Sequence, residues 1–228
     1  MSTATLPMPQ VLWNATTTPD VVTVPARTVL ALDGRGAPEG RTFQDSVAAI
    51  YGVAYTLKFA RKKAGRRDFR IGPLEARWWT DHPRRRLPEV PRHAWRWQLR
   101  MAMPGDLRAA ELARTIDAAT HQKTGKLAGN PEVGRVALAQ LSAARFGRVL
   151  HVGPYDAEAG SFARIGDAVV RAGFVPRNAH AEVYLSDPRR AKPEKLKTVL
   201  LLEVAGRGGA RPRAPSTNRE MRILKLHR

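Results

Sequence analysis

The sequence predicts an α+β fold: two strand–helix–strand–strand repeats joined into one curved antiparallel sheet, with helices on one face and a ligand groove on the other. Three observations carry this reading. A weak internal repeat runs through the chain, each copy holding a strand-like run, a glycine loop, an apolar helical stripe and two further strand-like runs. The spacing recurs, since Gly34 to Phe43 and Gly153 to Phe162 are both nine positions. Neither unit buries a full sheet face alone, whereas two joined units do, and a groove between repeats is a natural ligand site.

The first repeat, residues 21–104, begins with a β-branched run over 21–32 and the loop 33–38. A helix follows from near Phe43, with Val47, Ile50, Val53, Ala54 and Leu57 on one stripe. Strands are expected over 73–79 and 93–103. A connecting helix spans 106–119 within the linker 105–120, with Leu112 and Ile116 facing inward. The second repeat, 146–205, has a strand over 147–152, the loop 153–155 and a helix from near Phe162 with Ile165, Ala168, Val169 and Ala172 as its stripe. Strands over 179–186 and 196–204 complete it. The two repeats form a domain over 21–205, flanked by an irregular leader, 1–20, in which Trp13 docks on the body. A tail, 206–228, is rich in Gly, Arg and Pro and reads as largely disordered, with Met221, Ile223, Leu224 and Leu226 as a short docking pattern.

Composition narrows the function. The chain of 228 residues has no cysteine, which excludes disulfides, Cys-ligated metals and cysteine nucleophiles. Its six histidines show no i,i+4 pair, so no metal and no cofactor is expected. There is no Gly-x-Ser-x-Gly motif. The longest uncharged apolar stretch, 136–144, is nine residues, short of the roughly 18 that a spanning helix needs. The start of the chain lacks the basic and apolar regions of a secretory signal, so the reading is a cytoplasmic protein without membrane contact. Gly34-x-Gly36 is followed by Gly40, one position too far for a dinucleotide loop, and Asp33 and Glu39 would repel a pyrophosphate.

Lys+Arg number 39 against 20 Asp+Glu, a net charge of +19. The excess is scattered: seven cations to one acid over 58–70, six to one over 84–100, seven to one over 206–228. No nucleic-acid-reading motif accompanies it. This implies a solvated basic surface with non-specific attraction to DNA rather than a dedicated nucleic-acid function. Oligomeric state is not encoded in any pattern.

The aromatic residues are more informative. Trp78, Trp79, Trp95 and Trp97 fall within twenty residues on adjacent predicted strands. Alternation places Glu75, Arg77 and Trp79 on one face, and His180, Glu182 and Tyr184 on one face, opposite Ala181, Val183 and Leu185. The latter apolar face suits packing under helices. Each repeat thus puts a glutamate beside an aromatic ring on its middle strand, a fit for a flat, apolar ligand. The competing reading is a Trp-rich core with glutamates at the surface.

The stretch from Tyr51 to Phe59, the segment Pro73-Leu74-Glu75-Ala76-Arg77-Trp78-Trp79 and the pair Trp95-x-Trp97 resemble stand-alone GyrI-like small-molecule-binding proteins. So do His151-Val152-Gly153-Pro154-Tyr155 and the run from Glu182 to Arg190 with Pro193–Thr198 after it. The resemblance spans about 21–204. It implies two repeats around a central groove for hydrophobic, planar small molecules, with Glu182 as the ligand-contacting acid. Some stand-alone members resemble hydrolases that open the spirocyclopropane of DNA-alkylating drugs of the duocarmycin and yatakemycin type, giving drug resistance. Others are binders or effector domains of regulators. On the hydrolase reading Glu182 is the general base and Glu75 its partner. Tyr55, Trp79, Trp97 and Tyr184 stack on the planar rings, and Tyr51, His151 and Tyr155 from the shared motifs complete the substrate-binding set. Arg77, between Glu75 and Trp79, and the short segment 143–148 depart from the family pattern.

Overall fold

A computed structural model of the chain describes residues 10–82, 84–121 and 127–206, and the backbone of 221–223. The outer leader and most of the tail lie outside these residues.

The strands are β1 (Asp20–Val24), β2 (Arg27–Arg35), β3 (Leu74–Trp79), β4 (Arg96–Ala102), β5 (Ala137–Leu141), β6 (Ala144–Val152), β7 (Phe174–Tyr184), β8 (Lys197–Gly206) and β9 (Met221–Ile223). The helices are α1 (Arg41–Lys63), α2 (Ala109–Thr120) and α3 (Ala159–Arg171). The described residues form one antiparallel sheet in the order β1-β6-β8-β7-β3-β4-β2-β5-β9. Two strand–helix–strand–strand units are visible in it, β2-α1-β3-β4 and β6-α3-β7-β8. Their middle strands, β3 and β7, pair at the centre with Ala76 opposite Glu182 and Trp78 opposite His180. The α+β class and the antiparallel sheet are those the sequence predicts.

The run over 21–32 is two strands rather than one. Pro25 lacks the N–H a ladder needs, so the chain breaks there. β1 pairs with β6 at one end of the sheet, while β2 pairs with β4 and β5 in the other half. β5 had no counterpart in the sequence reading.

α1 buries Phe43, Ala49, Ile50, Val53, Ala54 and Leu57 on one side, at the three- and four-residue spacing of a helix face. Its last turn carries Arg61, Lys62 and Lys63, a favourable end for cations. That side rests on Leu30, Leu32, Leu74, Ala76, Trp78, Trp97, Leu99 and Met101, and α2 adds Leu112 and Ala119 to the same core. α3 lays Ile165 and Val169 on Val149 and Leu200 in the other half. Registers connect the two cores: Ala76, Glu182, Leu200 and Val149 form one cross-strand row, and directly paired residues share a face. α1 and α3 therefore cover the same face, over opposite halves, with β7 and β3 between them.

The opposite face is closed differently from expectation. Ala181, Val183, Val199 and Leu201 pack under Leu12 and the partly buried Val11 and Trp13, a short 3-10 turn and the residue after it, not under an α-helix. Arg148 pins this segment by donating to the Val11 carbonyl at 2.5 Å, to Asn14 Oδ1 at 2.9 Å and to Asp20. The Leu150 N–H donates to the Thr16 carbonyl at 2.7 Å.

One glycine is fixed by packing. A Cβ on Gly34 would lie 2.0 Å from the Trp97 ring, which is fully buried and meets Phe43 edge-on at 5.1 Å. The ring has no room to retreat, so Gly34→Ala is expected to cost about 1–3 kcal/mol as overpacking. Thermal unfolding should show this as a loss of several degrees, at about 2–4 °C per kcal/mol for a chain of this size.

Candidate functional site

The period of β7 sends His180, Glu182 and Tyr184 to the helix-bearing face. They lie in the gap where the part of this face under α1, which rests on Leu74, Ala76 and Trp78 of β3, meets the part under α3, whose Phe162 reaches His180 of β7. Glu182 is the hub. Tyr184 donates its hydroxyl to Glu182 Oε2 at 2.7 Å, and His180 Nε2 lies 3.1 Å from Glu182 Oε1. The Glu182 and His180 side chains are only 14% and 18% exposed, so the pair is largely withdrawn from bulk water yet reachable.

Each neighbour is placed by a different element. Phe162 of α3 lays its ring edge-on against His180 at 4.6 Å. Tyr155, in the short turn Tyr155–Ala157 before α3, meets the Tyr184 ring edge-on at 5.8 Å. Tyr51 and Tyr55 stand one turn apart on α1. Tyr51 packs against the α1 core, and burial raises its phenol pKa while the Leu74 backbone and the charge of Arg189 work the other way. Tyr55 stacks on Phe59 at 6.3 Å, and both rings are exposed, which puts an aromatic lip on the α1 side. Trp78 lies in the next row, stacked on Phe43 at 5.3 Å.

The acid the sequence reading missed is Glu158, between the 155–157 turn and α3. It is buried, and its carboxyl pKa is pushed up to about 9, first by burial and then by the charge of Glu182. Its Oε1 is buried without a hydrogen-bond partner. The Thr198 hydroxyl, in the row of Tyr184, and the Trp78 indole N–H are likewise buried and unpartnered among the described residues. The indole faces the Tyr184 hydroxyl without closing a bond to it. Burial, then Glu182, holds the Tyr184 phenol protonated well beyond the ordinary range, and Tyr155 is raised for the same two reasons. The gap thus offers a neutral carboxylic acid, an accepting carboxylate, phenolic donors and aromatic walls. Such a set can hold a flat molecule, take a proton at one place and give one at another.

Nothing in the sequence ranks Glu158 above Asp156, since both are acids near a helix start. Burial separates them: Asp156 is exposed and Glu158 is not.

The expected pairing of Glu75 with Glu182 fails by one residue of register. The strand period is two, so a one-residue slip flips the face. Leu74, Ala76 and Trp78 share the face of Glu182, and Glu75, Arg77 and Trp79 take the other. There Glu75 is 5% exposed and accepts from Arg27 at 2.7 Å and from Arg100 at 2.9 Å. Burial alone would raise its pKa, but the two guanidiniums outweigh burial and hold it below the usual range. Arg77 bridges to Glu203 at 2.5 Å and sits 4.9 Å above the Trp79 ring. Trp79 is therefore walled off from the gap. Trp97 faces α1 but is fully buried behind Gly34 and Phe43, so it is core. His151 is buried rather than lining, with Nδ1 on Ser161 Oγ at 3.0 Å and Nε2 on the Pro154 carbonyl at 3.2 Å. The structure brings together Glu182, Tyr184 and Tyr155, sets Tyr51 and Tyr55 on the neighbouring helix α1, and separates Glu75, Trp79 and Trp97 from them. Glu182 and Tyr184 lie on the helix-bearing face, not on the face opposite the helices.

Among the described residues no cluster of three or more His, Asp or Glu is arranged to hold a metal ion. No described helix is long and apolar enough to cross a membrane.

Solved structures from Listeria innocua share this fold. One, named a hydrolase, is 28% identical over 86% of this chain and 96% of its own, with a TM-score of 0.75. A second structure named a hydrolase gives the same identity and coverage with a TM-score of 0.72. A third, described as an uncharacterized conserved protein, is 29% identical over the same shares, with a TM-score of 0.75. No protein-family model and no curated protein matches the chain. The chain therefore has the architecture of proteins named hydrolases, consistent with the GyrI-like fold its motifs resemble.

Proposed function

We propose that this protein is a hydrolase that opens the cyclopropane ring of spirocyclopropane DNA-alkylating drugs by adding water, and so gives drug resistance. The observation that carries the reading is the pair of unlike carboxyls, Glu158 and Glu182, in a gap walled by tyrosines. The names of the Listeria proteins support a hydrolytic reaction. The resemblance of the motifs supports the substrate class.

The reaction needs a positioned water, a proton acceptor for it and a proton donor for the carbonyl conjugated to the ring. Glu182 takes a proton from water as its oxygen bonds to the cyclopropane methylene. The methylene–spiro carbon bond breaks, and its electron pair moves through the conjugated system to the carbonyl oxygen. Glu158, neutral at pH 7, gives that oxygen its proton, leaving a phenol. The net change is addition of one water, and exchange with solvent resets the two carboxyls. Tyr184 holds one oxygen of Glu182 and His180 the other, which fixes the direction of the base. Tyr51, Tyr55 and Tyr155 hold the flat rings.

The pH dependence tests the roles. Turnover is expected to fall as pH rises through about 9, where Glu158 loses its proton. Glu158→Gln should lower kcat by about a hundred-fold or more, the usual scale for removing a positioned acid. A wild-type profile flat through pH 9 to 10 would contradict the acid role.

Stability gives a second readout of the same group. An unfolded Glu158 loses its proton near 4.5 and the folded one near 9, so the folded chain holds one extra proton between them. Stability therefore falls as pH rises through that window. Glu158→Gln is expected to be more stable than wild type at pH 8, with the gap closing toward pH 4.5. Urea unfolding at pH 5, 7 and 9 measures it, and a gap independent of pH would contradict it.

A second reading, a non-catalytic drug-binding protein, draws on the exposed Tyr55–Phe59 pair, which suits capture of a flat apolar molecule without chemistry.

A further inference from the structure

We infer that His151 is a positioning residue that clamps the 154–161 turn to β6 and thereby holds Glu158 against Glu182. The inference rests on the acid role proposed for Glu158.

The turn carries two groups of the site, Tyr155 and Glu158, on a stretch whose residues 155–157 are exposed. Its backbone bonds are local: Ala157 N–H to the Pro154 carbonyl, Glu158 N–H to Tyr155 and Phe162 N–H to Glu158. These fix the shape of the turn but not its place on the sheet. The Glu158 side chain does not anchor itself, since its Oε1 has no partner.

Beside the Tyr155–Tyr184 ring contact and the Gly153 N–H bond to the Leu196 carbonyl at 2.9 Å, the His151 imidazole ties the turn through side-chain bonds. The Pro154 carbonyl can only accept, so Nε2 carries a proton and donates to it at 3.2 Å. Nδ1 hydrogen-bonds the Ser161 hydroxyl at 3.0 Å, which can serve as donor or acceptor. One ring in β6 thus grips both ends of the turn. Its seat is made by Gly153, whose φ of +141° lets the chain leave the strand and where a Cβ would approach Nε2 to 3.3 Å. Arg164 reinforces the far end, donating to Ser161 Oγ at 3.2 Å and to the Thr17 carbonyl at 3.1 Å. Both ring nitrogens are engaged and the residue is 6% exposed, so His151 is not available to a ligand.

The groups around Glu158 are Glu182 and Tyr184 on β7, with His180 behind Glu182, Tyr155 on the turn, and Arg164 on α3 near Ser161. With the clamp released, the turn lifts, water reaches Glu158 and its distance from Glu182 grows. Both changes ease ionisation.

The test reads the carboxyl directly, in the ligand-free protein, by ¹³C NMR titration of Glu158 with label in the glutamate side-chain carboxyls. Wild type is expected to titrate near 9. His151→Phe, which keeps a ring and loses both hydrogen bonds, should titrate at least about one unit lower. His151→Gln, which keeps a donor for the Pro154 carbonyl, should stay close to wild type. If His151→Phe does not fold, Ser161→Ala removes one end of the grip and should lower the titration in its place. A role in packing alone would lower thermal stability and leave the titration unmoved. Wild type near 9 with His151→Phe, or with Ser161→Ala where that variant stands in, unchanged overturns the clamp and leaves the acid role standing. Wild type in the ordinary carboxylate range overturns both.

Discussion

Glu182→Gln is expected to fold, to keep its affinity for a planar ligand and to lose about a hundred- to ten-thousand-fold in kcat, the span covered by positioned general bases. The amide is nearly isosteric with the carboxyl, so the aromatic walls stay in place. It can still accept from Tyr184 or from His180, at 2.7 and 3.1 Å in the wild type, but it cannot take a proton from water. The change also removes the second cause of the raised Glu158 pKa, leaving burial as the first. The surviving activity should therefore lose its acid at a lower pH than wild type. Single-turnover kinetics beside a fluorescence binding titration separates the two effects. Equal losses in binding and rate would mean that Glu182 is only a ligand contact.

Glu75→Ala is expected to act on stability and not on chemistry. It leaves Arg27 and Arg100 facing a buried void with side chains only 7% and 12% exposed. Removing one partner of a buried ionic group costs about 3–5 kcal/mol, because the charges left behind are no longer compensated. For a chain of this length that is of order ten degrees in Tm. The activity of each folded molecule should be unchanged, since the sheet stands between Glu75 and the gap. Loss of turnover without loss of stability would restore Glu75 to the reaction. Replacing Arg27, Glu75 and Arg100 together by apolar residues of similar size should cost less than Glu75→Ala alone, as buried ionic groups removed whole often do.

These two glutamates show how far the sequence reaches. The alternation on β7 is readable because Ala181 and Val183 are small and apolar while His180, Glu182 and Tyr184 are not. The α1 stripe is readable because its buried residues recur at helical spacing. Which face of β3 meets which face of β7 is not readable, because register depends on pairing between strands some hundred residues apart. β3 alternates like β7, but the helices take its apolar face, Leu74, Ala76 and Trp78, and on β7 the face bearing Glu182, a difference that neither pattern carries alone. Glu75 was misassigned for that reason. Glu158 was missed for another. It lies outside the regular elements, and an acid near a helix start ordinarily reads as a partner for the helix dipole. Its chemistry comes from burial beside Glu182, which the tertiary placement of α3 and of the turn before it creates. The separation of β1 from β2 is legible in Pro25, which interrupts the β-branched run around it.

The most direct test of the central claim is product formation from an excess of a spirocyclopropane drug in ¹⁸O-labelled water, followed by mass and chromophore. The account predicts many ring-opened products per protein molecule, each carrying one oxygen from solvent, with the yield collapsing in Glu182→Gln. Drug recovered intact, or product limited to one per protein, would contradict it and leave a protein that binds such molecules without consuming them.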